Sequence, residues 1–243
     1  MNKARVMGLS VIVPAFNEER TICKVLCDLI KLEHDFPLEI IVINDGSTDK
    51  TSEIVLDPRH LFNIRFVDNQ INQGKGKVVR QGIEMARYSH TLIFDADLEY
   101  FAHDIPGMFK PISAGMTDVV FGSRIRGNYT SQPSFFFSIG RSLLTLYINL
   151  LFNSTITDLH TCLKLIPTNI LQTAEFTENG FGLDTEITCL LLRNGIHPFE
   201  IPITYIGRTA ANGKKIGISD GFVCVKIATA KRFSKKLPLF KGN

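Results

Sequence analysis

Three carboxylates occupy alternate positions in the segment LIFDADLEY, residues 92–100: Asp95, Asp97 and Glu99. Alternate residues of an extended chain point to the same side, so these three acids can converge. Carboxylate oxygens are the ligands that Mg²⁺ and Mn²⁺ prefer, and such a cation often binds substrate phosphates as well. It would stabilise a diphosphate as a leaving group. The alternative is an acidic strand end that faces solvent, where carboxylates cost little.

Another acid, Asp45, lies in the segment NDGSTD, residues 44–49. The Ser, Thr and Asp that follow it are residue types that begin helices, so this part is interpreted as a turn that caps the next helix. Asp45 itself stands at the predicted tip of a strand, where it could accept hydrogen bonds from a nucleoside. A ligand role and a turn role both stay open for it.

Basic side chains follow in the segment NQGKGKVVRQG, residues 72–82, which includes Lys75. The segment matches neither the phosphate loop GxxxxGK[ST] nor the dinucleotide fingerprint GxGxxG. It is interpreted either as a flexible basic turn near a nucleotide or as a surface loop. Arg124, in the segment GSR at 122–124, could add a cationic contact to the same phosphates.

The elements that would position these residues alternate between strands and helices. Short, β-branched-rich runs predict strands at 9–15, 38–44, 63–68, 91–97 and 118–123. Helical patterns lie between them at 18–32, 48–56, 76–88 and 104–114, and Gly82 in the third allows close packing. This alternation predicts an α/β fold with a mostly parallel central sheet and helices on both faces. Each polar segment follows a strand, so all of them should meet at one edge of the sheet.

Length, charge and cysteine content limit which classes of protein fit this sequence. The 243 residues suffice for one large domain, and a formal charge of +3 is too small to indicate nucleic-acid binding. Five cysteines without a Cys-x-x-Cys pair argue against a disulfide framework or a zinc site and fit a reduced cytoplasmic setting.

Two segments bear on membranes. The stretch SFFFSIGRSLLTLYINLLF, residues 134–152, is interrupted by Arg141, and its uncharged part falls short of the roughly 20 residues of a membrane span. It is interpreted as an interfacial or core-packed helix. The C-terminal residues 221–243 mix apolar and basic positions, as in a helix on an anionic membrane surface or a solvated terminal helix.

Taken in order and spacing, VPAFNE, NDGSTD, GKGKVVRQG, DADLE and GSR resemble the nucleotide-sugar domain of inverting family 2 glycosyltransferases. More narrowly, with TDLHTCLKLIP (157–167), GFGLDTEI (180–187) and EIPITYIGRTAANGKKI (200–216), the chain resembles polyprenyl-phosphate sugar synthases such as dolichyl-phosphate mannose synthase and dolichyl-phosphate glucosyltransferase. The resemblance implies a GT-A Rossmann-like fold, with residues 8–125 as the nucleotide-sugar half, 126–220 as the acceptor half and 221–243 as a basic tail.

The resemblance also implies roles for individual residues. Metal ligands would be Asp95, Asp97 and Glu99, holding Mg²⁺ or Mn²⁺, and catalytic residues would be Asp97, Arg124 and Arg208. The donor pocket would comprise Pro14, Phe16, Glu18, Ile43, Asp45, Lys75, Ala96 and Asp97, and the acceptor phosphate would meet Arg141, Lys214 and Lys215. Two positions depart from the family pattern: Asn44 replaces the first of two paired acids, and Gly213-Lys214-Lys215 replaces Gly-Ser-Lys.

The expected reaction moves a hexose from GDP-mannose or UDP-glucose to a polyprenyl phosphate. A phosphate is already largely ionised at neutral pH, so it needs cations rather than a general base. The expected location is the cytoplasm, peripherally at the inner face of a membrane. One alternative is a hydroxyl acceptor, with Asp184 or Glu186 as base; otherwise those two acids would support the basic cluster. Another is a nucleotide-sugar-binding protein without turnover. For Arg141 the alternative is a salt bridge to an acid such as Asp158.

Overall fold

The computed structural model describes residues 5–34, 36–57, 64–127, 130–131, 135–207 and 218–234. Seven of its strands form one sheet: β1 (Leu9–Ala15), β2 (Leu38–Asp45), β3 (Ile64–Asn69), β4 (His90–Ile93), β5 (Val120–Ser123), β7 (Lys164–Pro167) and β8 (Phe199–Pro202). Their spatial order is β3-β2-β1-β4-β7-β5-β8. A separate parallel pair is formed by β6 (Thr130–Ser131) and β9 (Tyr205–Ile206).

Helices connect the strands, as the alternating pattern predicts. They are α1 (Ile22–Ile30), α2 (Thr51–Val55), α3 (Lys75–Met85), α4 (Ile105–Ser113), α5 (Phe135–Phe152), α6 (Thr168–Thr173), α7 (Leu183–Arg193) and α8 (Ile218–Phe233). The close packing expected at Gly82 is confirmed, because a Cβ atom there would lie 2.5 Å from Cγ2 of Ile12 on β1. The α/β fold with a mostly parallel sheet is therefore the observed one.

The antiparallel strand β7 was not predicted. It pairs with β4 on one side and β5 on the other, and both pairings are antiparallel, while β1, β2, β3 and β4 run parallel. Both β7 and β8 come from the predicted acceptor half, yet they complete the sheet begun by the first half. The two halves of the chain therefore share one core.

No described helix is long and apolar enough to cross a membrane. Within the predicted stretch, residues 135–152 form the 18-residue helix α5, which packs beside α7 and α8. Its buried side meets Ile156, Leu159 and Ala228 in a small hydrophobic cluster apart from the main core.

Candidate active site

The first two polar segments are joined at the carboxyl ends of β1 and β2. Pro14 lies in register with Ile43 on the neighbouring strand, and Phe16 follows at the end of β1. Asn17 adopts a φ of 56° and links the segments twice: its amide donates to Ser47 Oγ at 2.9 Å, and its Oδ1 accepts from the Thr48 amide at 2.8 Å. Hydrogen bonds between side chains and backbone amides therefore hold the two segments together at this edge of the sheet.

Glu18 is placed at the same edge by a neighbouring hydrogen bond. Its amide donates to Thr51 Oγ1 at 2.9 Å, and its carboxylate accepts from Thr21 Oγ1 at 2.7 Å. Pro14, Phe16, Glu18 and Ile43 thus lie at the same edge of the sheet.

Asp45 holds the loop that precedes α3. Its two carboxylate oxygens accept hydrogen bonds from the amides of Gln73, at 2.7 Å, and Gly74, at 2.9 Å, and the residue is buried. Gly74 has a φ of 91°, and a Cβ atom there would lie 2.5 Å from the Asn179 carbonyl oxygen. In this structure Asp45 therefore holds the backbone of the loop at 73–74.

Lys75 and Asp95 form an ion pair that the sequence did not indicate. The Lys75 ammonium lies 2.8 Å from Asp95 Oδ1 and 3.9 Å from Asp184 Oδ2. Burial, the largest single effect, would lower the pKa of Lys75, but Asp95, Cys162 and Asp184 together outweigh burial and hold this pKa well above its ordinary value. Lys75 therefore neutralises the first acid of the DADLE segment.

The other two acids of that segment also have protein partners. Asp97 Oδ1 accepts from the Glu99 amide at 3.0 Å across Leu98, whose φ is 61°. The Glu99 carboxylate accepts from the Tyr205 hydroxyl at 2.7 Å. Ala96, between Asp95 and Asp97, is buried.

The predicted three-carboxylate metal set is not assembled here. Among the described residues no group of three or more His, Cys, Asp or Glu side chains could hold a metal ion. Asp95 pairs with an ammonium, Asp97 accepts from a backbone amide and Glu99 accepts from a hydroxyl, and each of the three presents carboxylate oxygens. This donor chemistry fits Mg²⁺, which is commonly bound by one or two carboxylates together with substrate phosphates.

Arg124 follows β5 and is clamped by Asp158. Its Nε and Nη2 donate to the two Asp158 oxygens, both at 2.7 Å, and both residues are buried. Burial alone would raise the pKa of Asp158, but Arg124 lowers it to about 2. The guanidinium carbon also lies 4.9 Å over the centre of the Tyr205 ring, a cation–π contact that adds to the ion pair.

Arg141 reaches the same place from α5. Burial, and then repulsion by Arg124, lower the pKa of Arg141 below its ordinary value, while Asp158 acts in the opposite direction. The bidentate partner of Asp158 is Arg124 rather than Arg141. The charges of two guanidinium groups, those of Arg124 and Arg141, thus act on one buried carboxylate.

Asp184 and Lys164 are site residues whose partnership the sequence did not reveal. The Lys164 side chain is fully buried, donates to the carbonyls of Leu159 and Thr161 at 3.0 and 2.6 Å, and lies 3.4 Å from Asp184. Burial alone would raise the pKa of Asp184, but Lys164 and then Lys75 hold it below its ordinary value. The sequence contains one indication of this contact: the single Lys in TDLHTCLKLIP stands between apolar residues of a strand.

Three predicted residues, Arg208, Lys214 and Lys215, lie outside the described residues.

Comparisons with known proteins agree with this geometry. Residues 10–173 match glycosyl transferase family 2. An uncharacterised protein of Methanocaldococcus jannaschii is 32% identical over 196 residues, which cover 76% of this chain and 82% of that protein. The low-salt glycan biosynthesis hexosyltransferase Agl6 of Haloferax volcanii is 27% identical over 204 residues, which cover 81% of this chain. The match spans only 47% of the Haloferax enzyme.

Among solved structures, the glucosyl-3-phosphoglycerate synthase of Mycobacterium tuberculosis shares the fold. Its complex with Mn²⁺, UDP and glucosyl-3-phosphoglycerate superimposes with a TM-score of 0.70 at 17% identity, over 95% of this chain and 80% of that one. The family match covers most of the sheet and every donor-side segment described above. The chain therefore belongs to glycosyl transferase family 2 and is a glycosyltransferase with the GT-A fold.

Proposed function

We propose that this enzyme transfers a hexose from a nucleotide sugar, with inversion, to the phosphate of a polyprenyl lipid. The donor is of the GDP-mannose or UDP-glucose type and binds at the carboxyl ends of β1, β2 and β4. The single observation that carries the proposal is the pair of guanidinium groups, Arg124 and Arg141, around the one carboxylate of Asp158.

The charge at that position favours an anionic acceptor. Asp158 neutralises one guanidinium, and Arg126 lies 3.8 Å from the neighbouring carboxylate of Glu200. Cations thus gather at a partly desolvated place, where an added phosphate would be bound strongly. Because Nε and Nη2 of Arg124 donate to Asp158, a phosphate would meet the Nη1 side of this guanidinium.

The acids near the site are poor candidates for a general base. A base works best when its pKa lies near the working pH, whereas Lys164 and Lys75 lower the pKa of Asp184. The Glu186 carboxylate is fully buried and lies 2.6 Å from the Lys231 ammonium. A hydroxyl acceptor would need its proton removed, but a phosphate would not, so these pairings support the phosphate acceptor.

Donor-side residues would act by orientation. Asp97 would hold Mg²⁺ or Mn²⁺, which when bound offsets the charge of the diphosphate leaving group. Solved relatives of the same fold contain Mn²⁺ with UDP or UDP-glucose, which supports this assignment. Asp45 would keep the loop at 73–74 against the nucleoside.

The test is a transfer assay with GDP-mannose, UDP-glucose and UDP-N-acetylglucosamine against a short polyprenyl phosphate, with and without Mn²⁺. One donor should give a sugar-phosphate lipid in the presence of the metal. Arg141→Gln should raise the KM for the lipid phosphate about tenfold or more while leaving the KM for the donor unchanged, because it removes one charge-assisted contact. Arg87→Gln, on an exposed side chain at the other edge of the sheet, is the matched control.

Transfer to a neutral alcohol at the same rate as to the phosphate would overturn the acceptor assignment. Donor binding without turnover on any acceptor would instead identify a nucleotide-sugar-binding protein. We further propose that the enzyme works peripherally at the cytoplasmic face of a membrane, where such a lipid would be found.

A further inference from the structure

Helix α5 exposes a stripe of aliphatic side chains on the side away from the site. Ile139, Leu143, Leu146 and Leu150 recur at helical spacing, and Leu143 and Leu150 are 60% and 76% exposed. We call these four residues the apolar stripe. Four large aliphatic side chains aligned along one helix face are more than the scattered surface hydrophobics of an ordinary protein.

Helix α8 lies beside α5 and extends this surface. The Tyr147 and Thr229 hydroxyls are 2.7 Å apart, and Arg232 Nε donates to the Leu151 carbonyl at 2.9 Å, so the two helices run side by side. On its outer side α8 exposes Phe222 and Phe233, at 75% and 70%. The apolar surface therefore spans both helices.

Apart from Asp220 in the first turn of α8, the charged residues of this helix pair are basic. Segments 138–152 and 221–234 contain no acidic residue, whereas they contain Arg141, Lys226, Lys231 and Arg232. Lys226 and Arg232 are exposed, while Lys231 turns inward to Glu186. Exposed aliphatic and aromatic side chains bordered by cations match the requirements of an anionic lipid surface.

We propose that α5 and α8 form a membrane-docking face that lies flat on anionic lipid, with the apolar stripe among the acyl chains nearest the headgroups. A second copy of the chain fits this face less well, because a symmetric contact would bring the Lys226 and Arg232 cations of both copies together. An anionic headgroup layer instead pairs with those cations while the apolar residues leave water.

This orientation has a consequence for the site, and here the inference rests on the proposed lipid acceptor. Arg141 shares the opposite, inward face of α5 with Thr145 and Ile148, which are buried. One helix thus has lipid-facing residues on one side and an acceptor-binding guanidinium on the other. A phosphate at the level of the headgroups would enter beside Arg141 without leaving the interface.

Vesicle flotation of the full chain tests the docking face directly, with no donor or polyprenyl phosphate present. The triple variant Leu143→Glu, Leu146→Glu, Leu150→Glu should bind phosphatidylcholine–phosphatidylserine vesicles at least about tenfold more weakly, since apolar burial is lost and acids face an anionic surface. The matched control is Val6→Glu, Leu56→Glu, Met116→Glu, which makes the same changes at exposed apolar positions elsewhere and should bind like the wild type. Lys226→Gln should weaken binding about fivefold, because a basic residue at such a surface contributes about 1 kcal/mol.

Equal binding by the two triple variants would overturn the proposal. A second result would also overturn it: light scattering shows a wild-type dimer, and the triple variant of the apolar stripe is a monomer that binds vesicles as the wild type does. The face would then join two copies of the chain. Circular dichroism checks that both triple variants are folded. A wild type that binds vesicles but transfers no sugar to any polyprenyl phosphate would leave the docking face standing and remove the proposed acceptor.

Discussion

At the scale of single residues, Asp97 differs from the acids on either side of it. Asp95 is neutralised by Lys75, and Glu99 is held by the Tyr205 hydroxyl. Asp97 accepts from the Glu99 amide, and under the proposed function it would also hold the cation. A cation held there would take further ligands from water and from the donor phosphates.

We expect Asp97→Ala to lower the rate of transfer about a hundredfold or more while leaving the melting temperature nearly unchanged, because charge stabilisation of the leaving group is lost and no buried packing is removed. Initial rates and thermal unfolding of the same preparation measure both. Asp118→Ala, at an exposed acid before β5, serves as the control. Full activity of Asp97→Ala would remove the metal argument.

A second prediction at this scale concerns the hydrogen bonds of Asp45. Asp45→Ala leaves the Gln73 and Gly74 amides without their acceptor, which should lower the free energy of unfolding by about 1–3 kcal/mol. The loop at 73–74 would loosen, so the affinity for the nucleotide should fall as well. Urea unfolding and calorimetric titration with UDP and GDP measure the two effects. Wild-type stability together with weaker nucleotide binding would show instead that Asp45 contacts the ligand directly.

At the scale of elements, a buried carboxylate connects three helices. Glu186 in α7 accepts from the amides of Thr177 and Glu178 and pairs with Lys231 of α8 at 2.6 Å. The same loop contacts α3, because the Gly76 amide donates to the Asn179 carbonyl oxygen at 2.7 Å. Glu186 therefore links α8 to the loop at 177–179, which contacts the first turn of α3.

We expect Glu186→Gln to destabilise the protein by about 1–3 kcal/mol, because the Lys231 ammonium loses its counter-charge and one oxygen acceptor is replaced by a donor. Hydrogen exchange at Thr177, Glu178 and Gly76 should speed up more than exchange in β1. Glu175→Gln, on an exposed side chain of the same loop, should change neither quantity. Uniformly faster exchange through the sheet would indicate general destabilisation and no particular link to α3.

At the scale of the whole molecule, buried histidines set the response to acid. Burial, and then repulsion by Lys164 and Arg124, lower the pKa of His160 to about 4, although Asp184 and Asp158 act in the opposite direction. Its Nε2 lies 3.4 Å from Cys224 Sγ on α8. Below pH 6.5 the unfolded chain therefore binds a proton that the folded chain does not.

Stability should accordingly fall as the pH drops from 6.5 to about 4, by at most about 3 kcal/mol from this residue. The urea concentration at the midpoint of unfolding, measured across that pH range, gives the slope of stability against pH. The variant His160→Gln should have a shallower slope. Part of the slope should remain, because burial also lowers the pKa of His90. The Arg124–Asp158 pair acts in a lower window, since protonation of Asp158 costs stability only between pH 3.8 and about 2. An unchanged slope in His160→Gln would contradict the assignment.

Much of the first half of this fold is predictable because its signals are local. The five apolar runs and the glycine at 82 report strand periodicity and close packing directly, and β1, β2, β3 and β5 appear where those runs predict. Strand β4 is shorter than predicted: it ends at Ile93, so Asp95, Asp97 and Glu99 lie in the turn that follows it and not in the strand. Strand β7 was missed as a central antiparallel strand, because its neighbours β4 and β5 are distant in the chain. Its four residues look like any short apolar run.

The sequence by itself determined the chemistry at the sheet edge: which carboxylates and guanidinium groups follow which strands, and which family they resemble. Only the tertiary structure decided their partners. Lys75 neutralises Asp95, Asp158 clamps Arg124, and Lys164 holds Asp184 across gaps of 20 to 34 residues. Residue types and spacing report what a side chain can do, whereas the pairing of buried charges depends on which distant segments the core brings within a few ångströms.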